Sequence, residues 1–196
     1  MDQPHVEDPS HFREPWRLRD GTPVVIRAVR EDDRRRIVTA FHKLEPESVY
    51  TRLFSYRKEL TDADLDSLAG VDFVDAVVLV VAREDAGAGG EDELIGGVSY
   101  YARTADDGSR RAEIAFTIEE DYQGQGIAGK LLELAAGLAR GQGISAFEAE
   151  VLPVNAAMLG VFRHSGLPLV ERQEDDVIHV DMALTPPGTP APAPSA

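Results

Sequence analysis

Residues 123–129 form the segment of this sequence that is best suited to bind a phosphate group. The segment reads QGQGIAG, follows a strand-like run and leads directly into an amphipathic helical pattern. Helix N-termini present backbone N–H groups without intrahelical partners and the positive end of the helix dipole, so they favour anions, phosphates above all. Gly126 and Ala128 lack the side chains that would hold a diphosphate away from those amides. The turn therefore predicts a phosphate-binding helix N-terminus.

The same glycines fit two other interpretations. Gly124, Gly126 and Gly129 satisfy G-x-G-x-x-G, and Glu148 or Glu150 lies near the distance expected for the ribose-binding acid of a dinucleotide fold. Five residues separate these glycines from the strand end, and the hairpin-rich N-terminal half supplies no βαβ units, which disfavours that fold. The other interpretation is a tight strand-to-helix turn without a ligand. A P-loop is excluded, because the lysine after Gly129 is followed by leucine instead of a hydroxyl residue.

The composition limits the class of protein and the kind of partner. The chain has 196 residues, 43% of them hydrophobic, which suits one globular domain with a full core, or at most two small ones. It contains no cysteine, which excludes disulfides, a thiol nucleophile and thiolate metal sites. The formal net charge of −15 disfavours nucleic acid and anionic membranes and favours cationic partners such as lysine side chains or polyamines. A role of this charge in solubility alone is the alternative.

Targeting, membrane and metal-binding signals are absent from the sequence. The first residues are polar and lack a signal peptide, and no apolar run approaches the roughly 18 residues of a membrane span. The histidines His42, His164 and His179 show no metal-ligand spacing. There is also no G-x-S-x-G motif to support a serine hydrolase. We therefore expect a cytoplasmic protein without a metal site.

Hydrophobic periodicity predicts a single α/β (α+β) domain over residues 16–184. We expect a flexible leader over residues 1–15 and a disordered Pro/Ala-rich tail over residues 185–196. Helices are predicted at 31–44, 46–54, 61–69, from the glycine turn to near Gly141, and at 156–164. Strands are predicted at 24–28, 76–82, 94–101, 112–118, 146–151, 170–171 and 177–182. This order gives a mixed central sheet of six to seven strands flanked by helices.

Between Leu18 and Leu184 the sequence resembles the GCN5-related N-acetyltransferase (GNAT) family. The resemblance is carried by the segments RLRDGTPVVIRAVREDD, LEPESVYTRLF and VLPVNAAMLGVFRHSGL together with the glycine turn, and it is closest to the bacterial protein lysine acetyltransferases. It implies a GNAT-like fold in which two splayed parallel strands, residues 112–118 and 146–151, hold acyl-CoA. It also implies acetyl-CoA as the co-substrate and no metal.

Within that resemblance, the cofactor contacts can be assigned residue by residue. In this family the backbone of the first splayed strand lines the pantetheine arm, and a bulge aims one N–H at the thioester carbonyl. Such a fixed donor contributes roughly 3 kcal/mol to stabilising the tetrahedral intermediate. The glycine turn would hold the pyrophosphate, while Asn155 would contact the cofactor, cap the following helix, or do both. The implied cofactor-binding residues are Phe116, Thr117, Ile118, Gln123, Gly124, Gln125, Gly126, Ile127, Ala128, Gly129, Asn155 and Phe162.

One position departs from the family pattern. Many relatives carry a tyrosine seven residues after the asparagine, where it can protonate the leaving thiolate, but this sequence has Phe162. The thiolate would then leave unassisted, take a proton from water, or take one from another group such as Tyr101 or Tyr122.

The resemblance also implies a catalytic carboxylate. An amine with a pKa near 10.4 is protonated at neutral pH, so a general base must remove a proton, directly or through water, before attack. Glu113 matches the glutamate that has this role in lysine-modifying relatives, and strand alternation places it on one face with Ala115 and Thr117. We expect its carboxylate in a cleft beside apolar groups; an exposed strand glutamate is the alternative. Glu150, on the adjoining strand, is the second candidate.

Three functions follow from these observations. The leading one is an acetyl-CoA-dependent N-acetyltransferase that acts on a primary amine, with protein lysine ahead of small amines. A CoA-binding sensor or interaction module with little turnover is the second, and an acetyltransferase for polyamines or aminoglycosides is the third. The sequence leaves the acceptor and the oligomeric state open.

Overall fold

The computed structural model describes residues 8–44, 59–83 and 92–184. Its β-strands are β1 (Arg13–Arg17), β2 (Pro23–Ala28), β3 (Ala76–Arg83), β4 (Glu93–Thr104), β5 (Arg110–Ile118), β6 (Ala146–Val151), β7 (Leu169–Glu174) and β8 (Val177–Ala183). Its α-helices are α1 (Arg34–Lys43), α2 (Asp62–Ala69), α3 (Ile127–Gly141) and α4 (Ala156–Arg163). Short 3₁₀ turns cover Pro9–His11, Glu31–Asp33 and Glu120–Tyr122.

The eight strands form one mixed sheet in the order β1-β2-β3-β4-β5-β6-β8-β7. Neighbouring strands are antiparallel except for β5 and β6, which are parallel. The parallel register covers only Arg111 to Glu113 on β5 and Ala146 to Glu148 on β6. Both strands continue beyond these pairs, so they separate and leave a gap in the middle of the sheet. The expectation of two splayed parallel strands is confirmed.

Helices cover both faces of the sheet. The larger core lies under α3, whose apolar stripe buries Ile127, Leu131 and Ala135 against β4 and β5. On the opposite face, Ile37 and Ala40 of α1 pack with Leu68 of α2 over β3 and β4. No helix in the described residues has the length and hydrophobicity needed to cross a membrane.

The N-terminal part of the domain differs from the prediction. A loose leader over residues 1–15 is wrong for the described part, because Pro9–His11 forms a 3₁₀ turn and β1 pairs with β2 from Arg13 onwards. This additional edge strand brings the sheet to eight strands instead of six or seven. Exposed and half-buried residues alternate along it, but charged residues and a proline hide the strand pattern in the sequence. The predicted helix at 46–54 and the predicted tail at 185–196 lie outside the described residues.

A buried ion pair interrupts the helix predicted at 31–44. Arg27 on β2 donates two hydrogen bonds to Asp33, at 2.6 and 2.8 Å, and both side chains are almost fully buried. Asp33 also accepts from the backbone N–H of Arg30. The segment Glu31–Asp33 is therefore a 3₁₀ turn, and the α-helix begins only at Arg34. Burial raises the pKa of Asp33, but its bonds to Arg27 and Arg30 outweigh burial and hold the pKa below the usual value.

Asp33→Ala should lower the free energy of unfolding by about 3–5 kcal/mol, because it leaves the Arg27 guanidinium buried without its counter-ion. Urea denaturation at neutral pH measures this loss. The neighbouring substitution Asp32→Ala is the control: Asp32 is 68% exposed, and its removal should cost less than about 0.5 kcal/mol. The pKa of Asp33 is lower in the folded than in the unfolded chain, so its stabilisation is complete above the unfolded value and declines as the pH falls through the folded one. If the difference in the free energy of unfolding between wild type and Asp33→Ala does not decrease in acid, this account is wrong.

Candidate functional site

The gap between β5 and β6 exposes one edge of the β5 backbone. The N–H of Glu119 bonds the carbonyl of Ile95 on the β4 side, and the carbonyl of Arg110 accepts from Ser145 on the β6 side. Backbone groups alternate in direction along a strand, so odd-numbered residues of β5 pair with β4 and even-numbered residues face β6. Beyond Glu113 the register of β5 with β6 ends. The amides of Phe116 and Ile118 therefore point into the gap, whereas the amide of Thr117 points towards β4.

The glycine turn places a helix N-terminus beside this gap. Gly124 and Gly126 adopt φ angles of +74° and +90°, in the left-handed region that glycine tolerates. Gly126 is the N-cap of α3, and the first intrahelical bond runs from the N–H of Lys130 to its carbonyl. The amides of residues 127–129 are consequently without intrahelical partners and are available to an anion.

The turn is held in place by the connection between β1 and β2. Arg19 donates from its guanidinium to the carbonyl of Gly124 at 3.0 Å, and its backbone N–H bonds the carbonyl of Gln125. The backbone N–H of Asp20 bonds the Gln125 side chain at 3.2 Å. These contacts fix the loop conformation and add a cation to the wall of the anion site.

One cavity of about 1090 Å³ joins the gap and the helix N-terminus. Its volume is slightly above the roughly 300–1,000 Å³ typical of small-molecule and cofactor sites. All but one of the predicted site residues line it: Glu113, Phe116, Thr117, Ile118, Gln123, Gly124, Gly126, Ile127, Ala128, Gly129, Glu150, Asn155 and Phe162. The exception is Gln125, whose side chain instead accepts the bond from Asp20.

Asn155 and Phe162 form the far wall of the cavity. Asn155 is the N-cap of α4, and its side-chain oxygen accepts the N–H of Met158 at 3.1 Å. Phe162 is 1% exposed and packs edge-on against Phe116, with ring centroids 5.9 Å apart. The side chain of Asn155 therefore caps α4, and the same residue lines the cavity.

The two candidate bases line the cavity but are not shielded. Glu113 is exposed on β5, so the expectation of a carboxylate surrounded by apolar groups is wrong. The Glu150 side chain is 56% exposed, 3.7 Å from His179 Nδ1. Glu148 lies opposite Glu113 on β6. It forms ion pairs with Arg111 and Arg103. Burial raises the pKa of Glu148, but those two bonds outweigh burial and lower it overall.

The expected bulge in β5 is absent from its pairing with β4. The register runs without a shift from Gly96 opposite Ile118 to Thr104 opposite Arg110. The sheet irregularity lies instead between β3 and β4, at Val81 and Ala82. The inward direction of the Phe116 and Ile118 amides comes from the separation of β6, and a bulge is not needed to expose them.

Sequence reasoning missed Arg19 and Glu119. Arg19 reaches the glycine turn from a position about a hundred residues away in the chain, so no local pattern reveals it. Glu119 follows β5 as an ordinary acidic residue in the sequence but is largely buried in the structure. Of the two tyrosines considered as proton donors, Tyr122 lines the cavity, whereas Tyr101 donates to the carbonyl of Ser67 and lies outside the cavity lining.

Comparison with known proteins identifies the family. The sequence profile of the acetyltransferase (GNAT) family matches residues 44–167. The chain belongs to the GNAT family of acetyltransferases. The acetyltransferase PA5475 of Pseudomonas aeruginosa is 32% identical over 166 residues, 83% of this chain and 85% of that protein.

Two further relatives carry the name Pat. The acetyltransferase Pat of Mycolicibacterium smegmatis is 32% identical over 177 residues, which cover 89% of this chain but only 50% of that protein. The crystal structure of the GNAT domain of S. lividans PAT superposes with a TM-score of 0.77 at 34% identity and covers 89% of this chain and 98% of that one. The split sheet is thus that of a GNAT acetyltransferase domain.

Asn155→Ala should lower the free energy of unfolding by about 1 kcal/mol, because the N–H of Met158 loses its capping acceptor. Asn155→Asp keeps that acceptor and should restore most of the stability. Urea denaturation of the three proteins measures the difference. If Asn155→Asp is as unstable as Asn155→Ala, the cap does not explain the residue.

Proposed function

We propose that this GNAT domain transfers an acetyl group from acetyl-CoA directly to a primary amine, with a protein lysine side chain as the leading acceptor. The observation that supports it best is the continuity of one cavity from the β5 amides to the N-terminus of α3. One side of this cavity can bind phosphates, and the other offers backbone donors beside a carboxylate. We also propose that the protein acts in the cytoplasm, with which the absence of cysteine is consistent.

The residues present suit acetyl-CoA. The free amides of residues 127–129, with the Arg19 guanidinium near them, would hold the pyrophosphate. The amides of Phe116 and Ile118 would bond the pantetheine arm and the thioester carbonyl. A donor fixed before the reaction stabilises the oxyanion of the tetrahedral intermediate by roughly 3 kcal/mol. Asn155 would contact the cofactor through its side-chain N–H groups while its oxygen caps α4.

Proton transfer would fall to Glu113. Its side chain is on the β5 face that carries Ala115 and Thr117, at the wall of the cavity, and it is accessible to an incoming amine or to a relaying water. Glu150 is the second candidate on β6. Attack would be direct within a ternary complex, because the chain has no cysteine to carry the acyl group. Phe162 cannot protonate the leaving thiolate, so that proton would come from water or from Tyr122.

A lysine acceptor is supported by two findings. Two relatives at 32% and 34% identity carry the name Pat, and the sequence pattern that resembles lysine acetyltransferases includes the turn and helix around Asn155. The net charge of −15 favours a cationic acceptor. Because that charge suits polyamines equally well, a small-molecule amine is the second candidate acceptor. Phe162 in place of a proton donor favours a third possibility, a CoA-binding module with slow turnover.

Gly126→Glu should abolish acetyl-CoA binding, because a Cβ at this N-cap would lie 3.5 Å from Arg19 Nε, which places the new carboxylate against the guanidinium that borders the proposed pyrophosphate site. Calorimetric titration compares the acetyl-CoA affinity of this variant with that of the wild type, for which we expect a dissociation constant near the micromolar range. Gly21→Glu is the matched control, since Gly21 has nearly the same φ, +92° against +90°, and lies outside the cavity lining. Equal loss in both variants would indicate backbone strain, and undiminished binding in Gly126→Glu would remove the pyrophosphate from this turn.

Glu113→Gln should lower kcat by about 10²- to 10⁴-fold, the usual contribution of a general base, without changing acetyl-CoA affinity. The residual rate should keep rising with pH towards the pKa of the acceptor amine, about 10.4 for lysine, because only the neutral amine attacks. Steady-state CoA release against a peptide with one free lysine measures both effects. Glu150→Gln is the parallel variant: a larger loss there assigns the base to β6, and full activity in both variants assigns it to water.

A further inference from the structure

The sheet face opposite α3 carries a row of charged side chains beside Glu113. This is the face to which the odd-numbered residues of β5 point. The row crosses five neighbouring strands and consists of Arg103 on β4, Arg111 on β5, Glu148 on β6, Asp181 on β8 and Arg172 on β7. It has a surplus of one positive charge, whereas the chain as a whole carries −15. The row is therefore a local cationic surface next to the proposed base.

Ion pairs connect each carboxylate of the row to two arginines. Glu148 pairs through one oxygen with Arg111 and through the other with Arg103, both at 2.5 Å. Asp181 pairs through one oxygen with Arg111 and through the other with Arg172, the latter at 2.9 Å. Every oxygen of the two carboxylates is thus bound within the row. The two outer arginines, Arg103 and Arg172, have one ion-pair partner each in the described residues.

Arg103 is the outer arginine that lies next to Glu113. Arg103 is in register with Arg111, and Tyr101 is in register with Glu113. Arg103 and Glu113 are therefore diagonal neighbours on one face of an antiparallel pair, about 7–8 Å apart. The Arg103 side chain is 57% exposed, although one of its nitrogens bonds Glu148. A guanidinium carries several N–H donors, so Arg103 keeps donors that face solvent.

The spacing of Arg103 and Glu113 matches that of side chains in an extended peptide. Successive residues of a strand rise by about 3.4 Å and alternate in direction, so side chains two positions apart lie about 7 Å apart on one side. A peptide that lays its lysine beside Glu113 can thus place the side chain two positions away beside Arg103. The planar guanidinium binds carboxylates through two parallel hydrogen bonds, and the ion pair with Glu148 already restricts its orientation.

We infer that Arg103 is a specificity-determining residue, which selects an acceptor lysine with an aspartate or glutamate two positions away in an extended segment. This inference rests on the proposed function and adds a sequence preference to its acceptor. Glu113 keeps the proposed role in proton transfer, whereas Arg103 binds a part of the acceptor that does not react. Polyamines carry no carboxylate, so this preference separates a protein acceptor from a small amine.

Peptides with one free lysine test this preference in the wild type. In each pair one peptide has aspartate and the other asparagine two positions from the lysine, on its N-terminal side in the first pair and on its C-terminal side in the second. In one of the pairs we expect kcat/KM to be about threefold higher for the aspartate peptide, through a lower KM, because an exposed ion pair adds about this much affinity. Equal KM values within both pairs overturn the inference.

Arg103→Met should abolish the difference between the aspartate and asparagine peptides, and Arg103→Glu should reverse it. The ratio of the two KM values is the readout, because a general change in amine binding or folding affects both peptides equally. Arg172→Met is the matched control: it removes the same charge from the other end of the row, where the side chain is 62% exposed and three strands away from β5. It should keep the wild-type ratio. An unchanged ratio in Arg103→Met, or an equal loss in Arg172→Met, contradicts the assignment.

Binding without turnover separates this inference from the proposed function. The same peptides, labelled with a fluorophore, can be titrated with the CoA-bound protein and followed by fluorescence anisotropy. Tighter binding of the aspartate peptide to the wild type, but not to Arg103→Met, supports the role of Arg103 even if no amine is acetylated. Acetylation of both peptides with equal KM and equal binding supports the proposed function and overturns the role of Arg103.

Discussion

The early end of pairing between β5 and β6 is the constraint on which the site depends. A backbone N–H that is buried without a partner costs about 1–3 kcal/mol, so a sheet normally closes such a gap. Here both ends of the gap are fixed by side chains. Arg111 binds Glu148 and Asp181 at the paired end, and Phe162 packs against Phe116 at the open end. The separation is therefore built into the fold, and the exposed amides are available to a ligand.

The position of the proposed phosphate site follows from the same separation. Where β5 ends at the gap, the chain continues through the turn Glu120–Tyr122 and the glycine turn before α3 begins. The N-terminus of α3 then faces the cleft that the strands have opened. Arg19 and Asp20 hold the turn from the other side through bonds to Gly124 and Gln125. Two donor sets, one from a strand and one from a helix, thus line one cavity.

Local signals predicted the parts of the structure that depend on local chemistry. The glycine turn, the apolar stripe of α3 and the strand at residues 146–151 follow from φ requirements and periodicity, and the structure has them within a few residues. The parts that could not be predicted depend on contacts between distant segments. The edge strand β1 pairs through backbone groups despite a charged sequence, and Glu119 is buried only because Lys43 and Glu93 meet it from elements far away in the chain. The missing bulge is a register property, which composition does not encode.

The odd-numbered and even-numbered residues of β5 have different surroundings. Its even-numbered residues direct backbone groups into the gap and side chains such as Ile114 into the core under α3. Its odd-numbered residues pair with β4, and their side chains, among them Ala115 and Thr117, lie on the other face, towards α1 and α2. Backbone donors do not change when a side chain is replaced, so the donor side tolerates sequence variation on the odd positions. The side chains on the odd positions can change without moving the amides that face the gap between β5 and β6. One strand therefore combines a backbone edge that any sequence supplies with a side-chain face that substitutions can reshape.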